Sequence, residues 1–399
     1  MKALVVGAGV AGPLTAMALQ RAGIEAVVVE RHGPPDPKRG SWFSLSPNGL
    51  DALQAVGVLD IAKGLGSPTP RNVLVGATGR ELGTLPLGSP LADGTPALTI
   101  KRPELTAALV DESIRRGIDF RWNAALENVE RLEEEVHATL ADGTTLTADL
   151  LIGADGVHSP TRRIIDPAAP PSRYVGLTNF GGITPGGAAL LQGPDAVTEQ
   201  WRMVFGRRAF FGHHVLPNGD VVWFVNVPEP AIAPEVRART TDTEWKQRLV
   251  ALVDGDTGPA PQLIEGGVLE LAGDNTHDLG HVPTWHRDRM IIIGDAAHAP
   301  APSSGQGASM AAEDAVVLAQ CLRDLPDVDS AFSAYESLRR ARVEKVVKTG
   351  ARSSSTKSPG AFQQLMLRAI FTYAVTPKNT AWMYDHRLHW DERQAAISS

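Results

Sequence analysis

Three short stretches place glycines and lone carboxylates where a buried apolar run hands over to a helical one. The first is Gly7-Ala-Gly9-Val-Ala11-Gly12, preceded by apolar residues 3–6 and followed, 18 positions after Gly12, by Glu30. Glycines at this spacing permit a tight turn, close approach of backbone to a pyrophosphate, and close packing of helix on strand. The helix that starts there aims free N–H groups and the positive end of its dipole at the phosphates. An acid at the end of the next strand can hydrogen-bond ribose hydroxyls. The pattern describes an adenine dinucleotide site, with Gly7, Gly9 and Gly12 at the phosphates and Glu30 at the ribose, and with Ala11 and Arg31 counted among its cofactor-binding residues.

The second stretch, GADGVHSPTRR, puts Asp155 after a short apolar strand at 150–152. The third, GDAAHAPAPSSGQGAS, follows the apolar residues 290–293 and opens on Asp295. A carboxylate at that strand end can accept a hydrogen bond from a ribitol or ribose hydroxyl. Pro300 and Pro302 stiffen the chain, and Gly305, Gln306, Gly307, Ala308 and Ser309 open a helix with unpaired N–H groups. An electron-poor ring that gains negative charge on reduction is stabilised there, as a flavin is along its N1–C2=O2 edge.

The elements that must position these residues follow from periodicity. Residues 3–6, a helix over 14–21 ended by Gly23, and a strand over 26–29 form a βαβ unit. Residues 31–46 are polar and Pro-rich and read as a loop. Helices are expected over 47–56 and 103–116, with strands near Phe120, Val129 and Val136 and a hairpin at Asp142-Gly143. Residues 172–285 alternate like an antiparallel sheet, with a turn at 217–220. Helices follow over 306–323 and 330–349, then a linker at 351–360 and a last amphipathic helix over 362–374. The fold class is α/β: a Rossmann-like domain (1–70, 101–171 and 286–352) into which a mostly antiparallel β-sheet domain (71–100 and 172–285) is inserted, with a C-terminal helix and tail (353–399).

Composition narrows the function. Of 399 residues, 43% are hydrophobic and 21% charged, and the net charge is -7 with no strong basic run. Nucleic acid is therefore not an expected partner. One cysteine, Cys321, rules out a disulfide framework and a Cys-rich metal site. The uncharged stretch after Lys2 looks like a secretion signal, but its glycines belong to the nucleotide turn, so a cytoplasmic protein without a membrane span is expected.

The three ordered motifs, GAGVAG with Glu30, GADGVHSPTRR and GDAAHAPAPSSGQG, resemble those of the single-component, class A FAD-dependent aromatic hydroxylases of the para-hydroxybenzoate hydroxylase type. The resemblance runs to about residue 352. It implies that NADPH or NADH reduces FAD, that O2 then forms a flavin C4a-hydroperoxide, and that one oxygen atom passes to an aromatic or polyketide-like substrate. It further implies that Arg39 and Arg102 contact FAD, that Leu126 offers its backbone to adenine, and that Asp295 binds the ribitol. Residues 305–309 would cradle the pyrimidine edge, and Asp155 with Arg162 would serve FAD and the reduced nicotinamide. Pro302 would face the substrate. Either His213 or His214 could bind or deprotonate a phenol, and Phe205, Phe211, Trp223 and Phe224 could line an aromatic pocket. Epoxidation or Baeyer–Villiger oxidation on the same fold, a FAD-binding protein without redox turnover, and a plain NAD-dependent dehydrogenase are the alternatives. A monomer or a homodimer is expected.

Overall fold

The apolar run at 3–6 lies in the centre of a six-stranded sheet. The computed structural model describes residues 1–38, 40–301, 304–354 and 377–395. Strand Lys2–Val6 pairs in parallel with Glu25–Val29 on one side and Leu150–Gly153 on the other. Met290–Ile292 continues the sheet in parallel beyond Leu150–Gly153, and Asp119–Arg121 closes the opposite edge. The central strands are buried on both faces, which is why they read as unbroken apolar runs. The N-terminal helix Ala11–Arg21 packs against a central helix, Gly307–Asp324, whose residues are almost all buried.

A separate seven-stranded sheet collects Arg173–Thr184, Gln200–Phe205, Phe210–Val215, Val221–Pro228 and Val268–Asp278, with Arg71–Gly76 and Glu81–Pro86 at one edge. The expected hairpins at 142–143 and 217–220 are present. Three features depart from expectation. Trp42–Leu45, within the expected loop, is a strand that pairs with Leu98–Lys101. The segment 71–100 therefore divides, its first two strands joining the large sheet and its last joining this small one. The region 172–285 also contains helices Pro234–Arg239, Asp242–Val253 and Ala260–Gly266. The second begins with a capping box of Thr241 and Glu244, and Trp245, Leu249 and Val253 on one of its faces are buried. That face covers one side of the large sheet, where Phe180 meets Trp245 at 5.2 Å.

After the long helix Val328–Ser354, the described chain resumes in helix Pro377–Tyr384 and a strap to residue 395. The strap ties distant parts together. Asp385 accepts the Ser89 N–H at 2.7 Å, and the Leu388 N–H donates to Asp51 at 2.6 Å. Gln320 donates to the His389 carbonyl at 2.8 Å. The Trp390 ring lies between Arg21 and Arg323, at 4.6 and 5.1 Å. The helix expected over 362–374 lies outside the described residues, as do Arg39 and Pro302.

Candidate active site

Close backbone contacts bring the three motifs to one place. Gly7 adopts φ +105°, and a Cβ there would lie 2.6 Å from the Ala154 carbonyl oxygen and 3.0 Å from the Asp155 Cα. A Cβ on Gly12 would sit 1.9 Å from the Gly7 carbonyl oxygen, so only glycine closes this turn. On the far side, Gly294 lies against Ala11 and Ala311, and a Cβ on Gly307 would be 3.7 Å from Asp295 Oδ1. Strand-end carboxylate and helix start thus share one cleft. Gly9 and Gly305 have nothing within 4 Å of the Cβ position, leaving open backbone where a bound group can approach.

The carboxylates differ in what they are free to do. Glu30 accepts the Ala8 N–H at 2.8 Å and the His32 N–H at 3.0 Å, which holds it under the glycine turn. Each oxygen keeps a lone pair for a ribose hydroxyl. Asp155 is occupied: it accepts from Ser159 Oγ and from the amide and hydroxyl of Thr161 at 2.9 and 2.7 Å. Ser159 in turn caps the helix Pro160–Ile165. Arg162 is buried and donates to the Ala296 carbonyl at 2.9 Å and the Val157 carbonyl at 2.9 Å. Asp155 therefore fastens the second motif internally, and Arg162 holds it against the third.

Asp295 is half-buried and accepts no hydrogen bond among the described residues. Burial pushes its carboxyl above the ordinary carboxylate range, and the Arg102 guanidinium partly offsets this. Arg102 is exposed, its side chain unpartnered among the described residues. An acceptor and a cation, both available, face the same cleft.

The start of the central helix is held from inside. The Gln306 amide donates to Ser46 Oγ at 2.9 Å and accepts from Asn48 at 3.0 Å, and Ser309 Oγ accepts the Ser46 N–H at 3.3 Å. These side chains turn away from the cleft and leave the backbone N–H groups of the first helical turn outward. Asn48 also donates to Glu313 at 2.7 Å. Glu313 and Asp314 form a buried cluster with Arg339, Arg342 and His298. Arg342 reaches on to the Trp382 and Met383 carbonyls at 2.6 and 3.1 Å. Sequence reading missed this cluster. Its signal was the pair Glu313-Asp314 in an otherwise apolar helix.

The large sheet divides the expected substrate residues between its faces. Phe211, His213 and Trp223 point into the core beneath the helices of 242–266, where His213 meets the Asp195 carbonyl at 3.0 Å. Phe205, His214 and Phe224 lie on the other face, beside the small sheet. There Trp201 donates to Thr99 at 2.8 Å and His214 meets Ser67 at 2.9 Å. The expected single pocket lined by all four aromatic residues is therefore not formed, because alternation sends Phe211 and Trp223 to the opposite side. Among the other candidates, Arg31 is exposed with its Nε 3.1 Å from His32, and Leu126 is half-buried at the start of strand Leu126–Arg131. Among the described residues no cluster of metal-ligating side chains is present.

The family model described as FAD binding domain matches residues 1–350. The chain belongs to this family. It is 32% identical over 355 residues to the FAD-dependent urate hydroxylase of Klebsiella pneumoniae, covering 87% of this chain and 88% of that protein. It is 30% identical over 349 residues to the aurachin C monooxygenase/isomerase of Stigmatella aurantiaca, covering 86% of each. Its fold matches the solved structure of Klebsiella pneumoniae HpxO complexed with FAD and uric acid, with a TM-score of 0.79 and 27% identity over 92% of this chain and 93% of that one. The resemblance to FAD-dependent aromatic hydroxylases is borne out, and with it the α/β fold, an enzymatic role as a flavoprotein monooxygenase, and FAD as cofactor. The open glycines, the available Asp295 and the outward helix amides fit that cofactor. No described helix is long and apolar enough to cross a membrane.

Proposed function

We propose that this enzyme uses NAD(P)H and O2 to hydroxylate an aromatic small molecule, in the cleft between the central helix and the large sheet. The observation that supports the reading is the meeting of the three motifs: Gly307 lies against Asp295, Gly294 against Ala11, and Gly7 against Ala154 and Asp155. When bound, FAD supplies the redox and oxygen chemistry. Gly7, Gly9 and Gly12 hold its phosphates, Glu30 its ribose and Asp295 its ribitol. Arg102 supplies positive charge, and the amides of Gly307 to Ser309 meet the pyrimidine edge. Asp155 and Arg162 act through the turn they hold. The sheet excludes water and orients the substrate. The need for NAD(P)H points to the cytoplasm.

The test is the visible spectrum of the purified enzyme before and after anaerobic NADPH. Flavin bands that bleach, and bleach faster with an aromatic substrate, are expected. Bands that persist would refute direct reduction by NADPH. Product analysis then separates hydroxylation from epoxidation and Baeyer–Villiger oxidation.

A further inference from the structure

The face of the large sheet opposite the helices of 242–266, which lies beside the small sheet, is largely apolar. In its register Met203 stands opposite Gly212 and Gly212 opposite Phe224, while Trp201 stands opposite His214 and Phe205 opposite Phe210. The rings form a continuous patch: Trp201–Phe224 at 5.3 Å, Phe210–Phe224 at 5.8 Å and Phe205–Phe210 at 4.9 Å. A Cβ at Gly212 would lie 2.5 Å from the Phe224 ring, so glycine lets that ring lie down over the strand. Met203 and Phe224 stay partly exposed although their strands are interior ones, as does Asn179. Apolar surface is thus left uncovered in the middle of the sheet.

The charges on and beside this sheet face are committed, apart from Arg102, which the reading above assigns to FAD. Lys101 pairs with Glu270, which also accepts the Trp42 indole N–H at 2.9 Å. Arg202 points to the opposite face and meets Asp195 at 2.6 Å. Both nitrogens of His214 are engaged, with the Gln200 carbonyl at 3.0 Å and Ser67 Oγ at 2.9 Å. Among the described residues, the strands of this sheet carry no unpaired Lys or Arg on this face. Besides His214 and the paired Glu270, the polar groups there are amides, with Asn226 donating to Asn179.

We infer that the substrate of this face is an uncharged, flat, largely apolar ring system whose polar groups are hydroxyl, ketone or amide, and not a carboxylate or other anion. The inference rests on the monooxygenase reading above and specifies its substrate class. Rings gain by packing on Phe224 and Met203, the partly exposed apolar side chains of this face. A buried carboxylate with no cation opposite loses more than stacking returns.

The FAD-loaded enzyme is titrated with 1-naphthol and with 1-hydroxy-2-naphthoate, and binding is read from the perturbation of the flavin absorbance. The naphthol is expected to bind about 100-fold more tightly, the penalty for an unpaired buried charge. Phe224→Arg, which places a cation on the face, is expected to narrow or reverse that ratio. Equal or tighter binding of the carboxylate by the unaltered enzyme would overturn the inference, and so would failure of both compounds to bind. Bleaching by NADPH without any ligand reports separately on the monooxygenase reading, so the two can fail independently.

Discussion

Replacing Glu313 with glutamine tests the buried cluster that supports the start of the central helix. Glu313 is fully buried and accepts from Asn48 at 2.7 Å, from Arg342 Nε and Nη2 at 2.8 Å each, and from Arg339. Its neighbour Asp314 accepts from Arg339 Nε at 2.7 Å, His298 at 2.6 Å and the Gly294 N–H at 2.9 Å. Two carboxylates balance two guanidiniums. Glutamine removes one negative charge and sets an NH2 donor against guanidinium donors, and losing one partner of a buried pair costs about 3–5 kcal/mol. Titration gives a second route to the magnitude. Burial favours the neutral acid, but attraction to Arg339 and the bonds from Arg342 outweigh it and hold the Glu313 carboxyl at about 2, against an ordinary 4.5. That displacement corresponds to about 3 kcal/mol. The sign follows: with a depressed folded value, the stabilisation is complete above pH 4.5 and lost as pH falls toward 2. Denaturant unfolding of Glu313→Gln at neutral pH measures the loss. Glu313→Gln combined with Arg342→Met restores the charge balance and should recover part of it. A loss under about 1 kcal/mol for the single variant would refute the reasoning.

Three further outcomes are expected. Asp295→Asn should weaken FAD retention, read by flavin fluorescence, yet leave the apoprotein as stable or slightly more so at neutral pH, because burial raises this carboxyl and its charge costs stability there. Gly12→Ala should cost about 1–3 kcal/mol and release FAD, since its Cβ would meet the Gly7 carbonyl oxygen. Burial pushes His214 down to about 4, so stability should fall as pH drops from 6.5 through 4, and NMR should find the ring neutral at pH 6.

The cofactor side was legible because its requirements are local. A glycine turn, a strand-end acid and a helix start are each written in a few adjacent residues, and the structure brings them together. The support behind them was not legible, because it depends on long-range pairing. Nothing local links Asn48 to Glu313, or Arg342 to Trp382. The aromatic strands failed for a related reason: alternation divides Phe211 from Phe210, but the sequence does not say which face meets the cleft. The helices of 234–266 were passed over although Thr241 and Glu244 announced one of them. The polar composition of 31–46 hid a strand whose partner, Leu98–Lys101, lies more than fifty residues away.

The strap at the end of the described chain bears on the order in which the protein can be made. Arg342 finds its last two acceptors at Trp382 and Met383, and Trp390 closes over Arg21 of the first helix. A ribosome that has released the first 350 residues has delivered every cofactor motif but not these contacts. The flavin cradle can be assembled on the nascent chain but is fastened only once residues 382–390 have been made. A protein cut short before residue 382 would leave the Arg342 guanidinium short of acceptors, and quality control would meet it as an unfinished fold rather than an inactive enzyme.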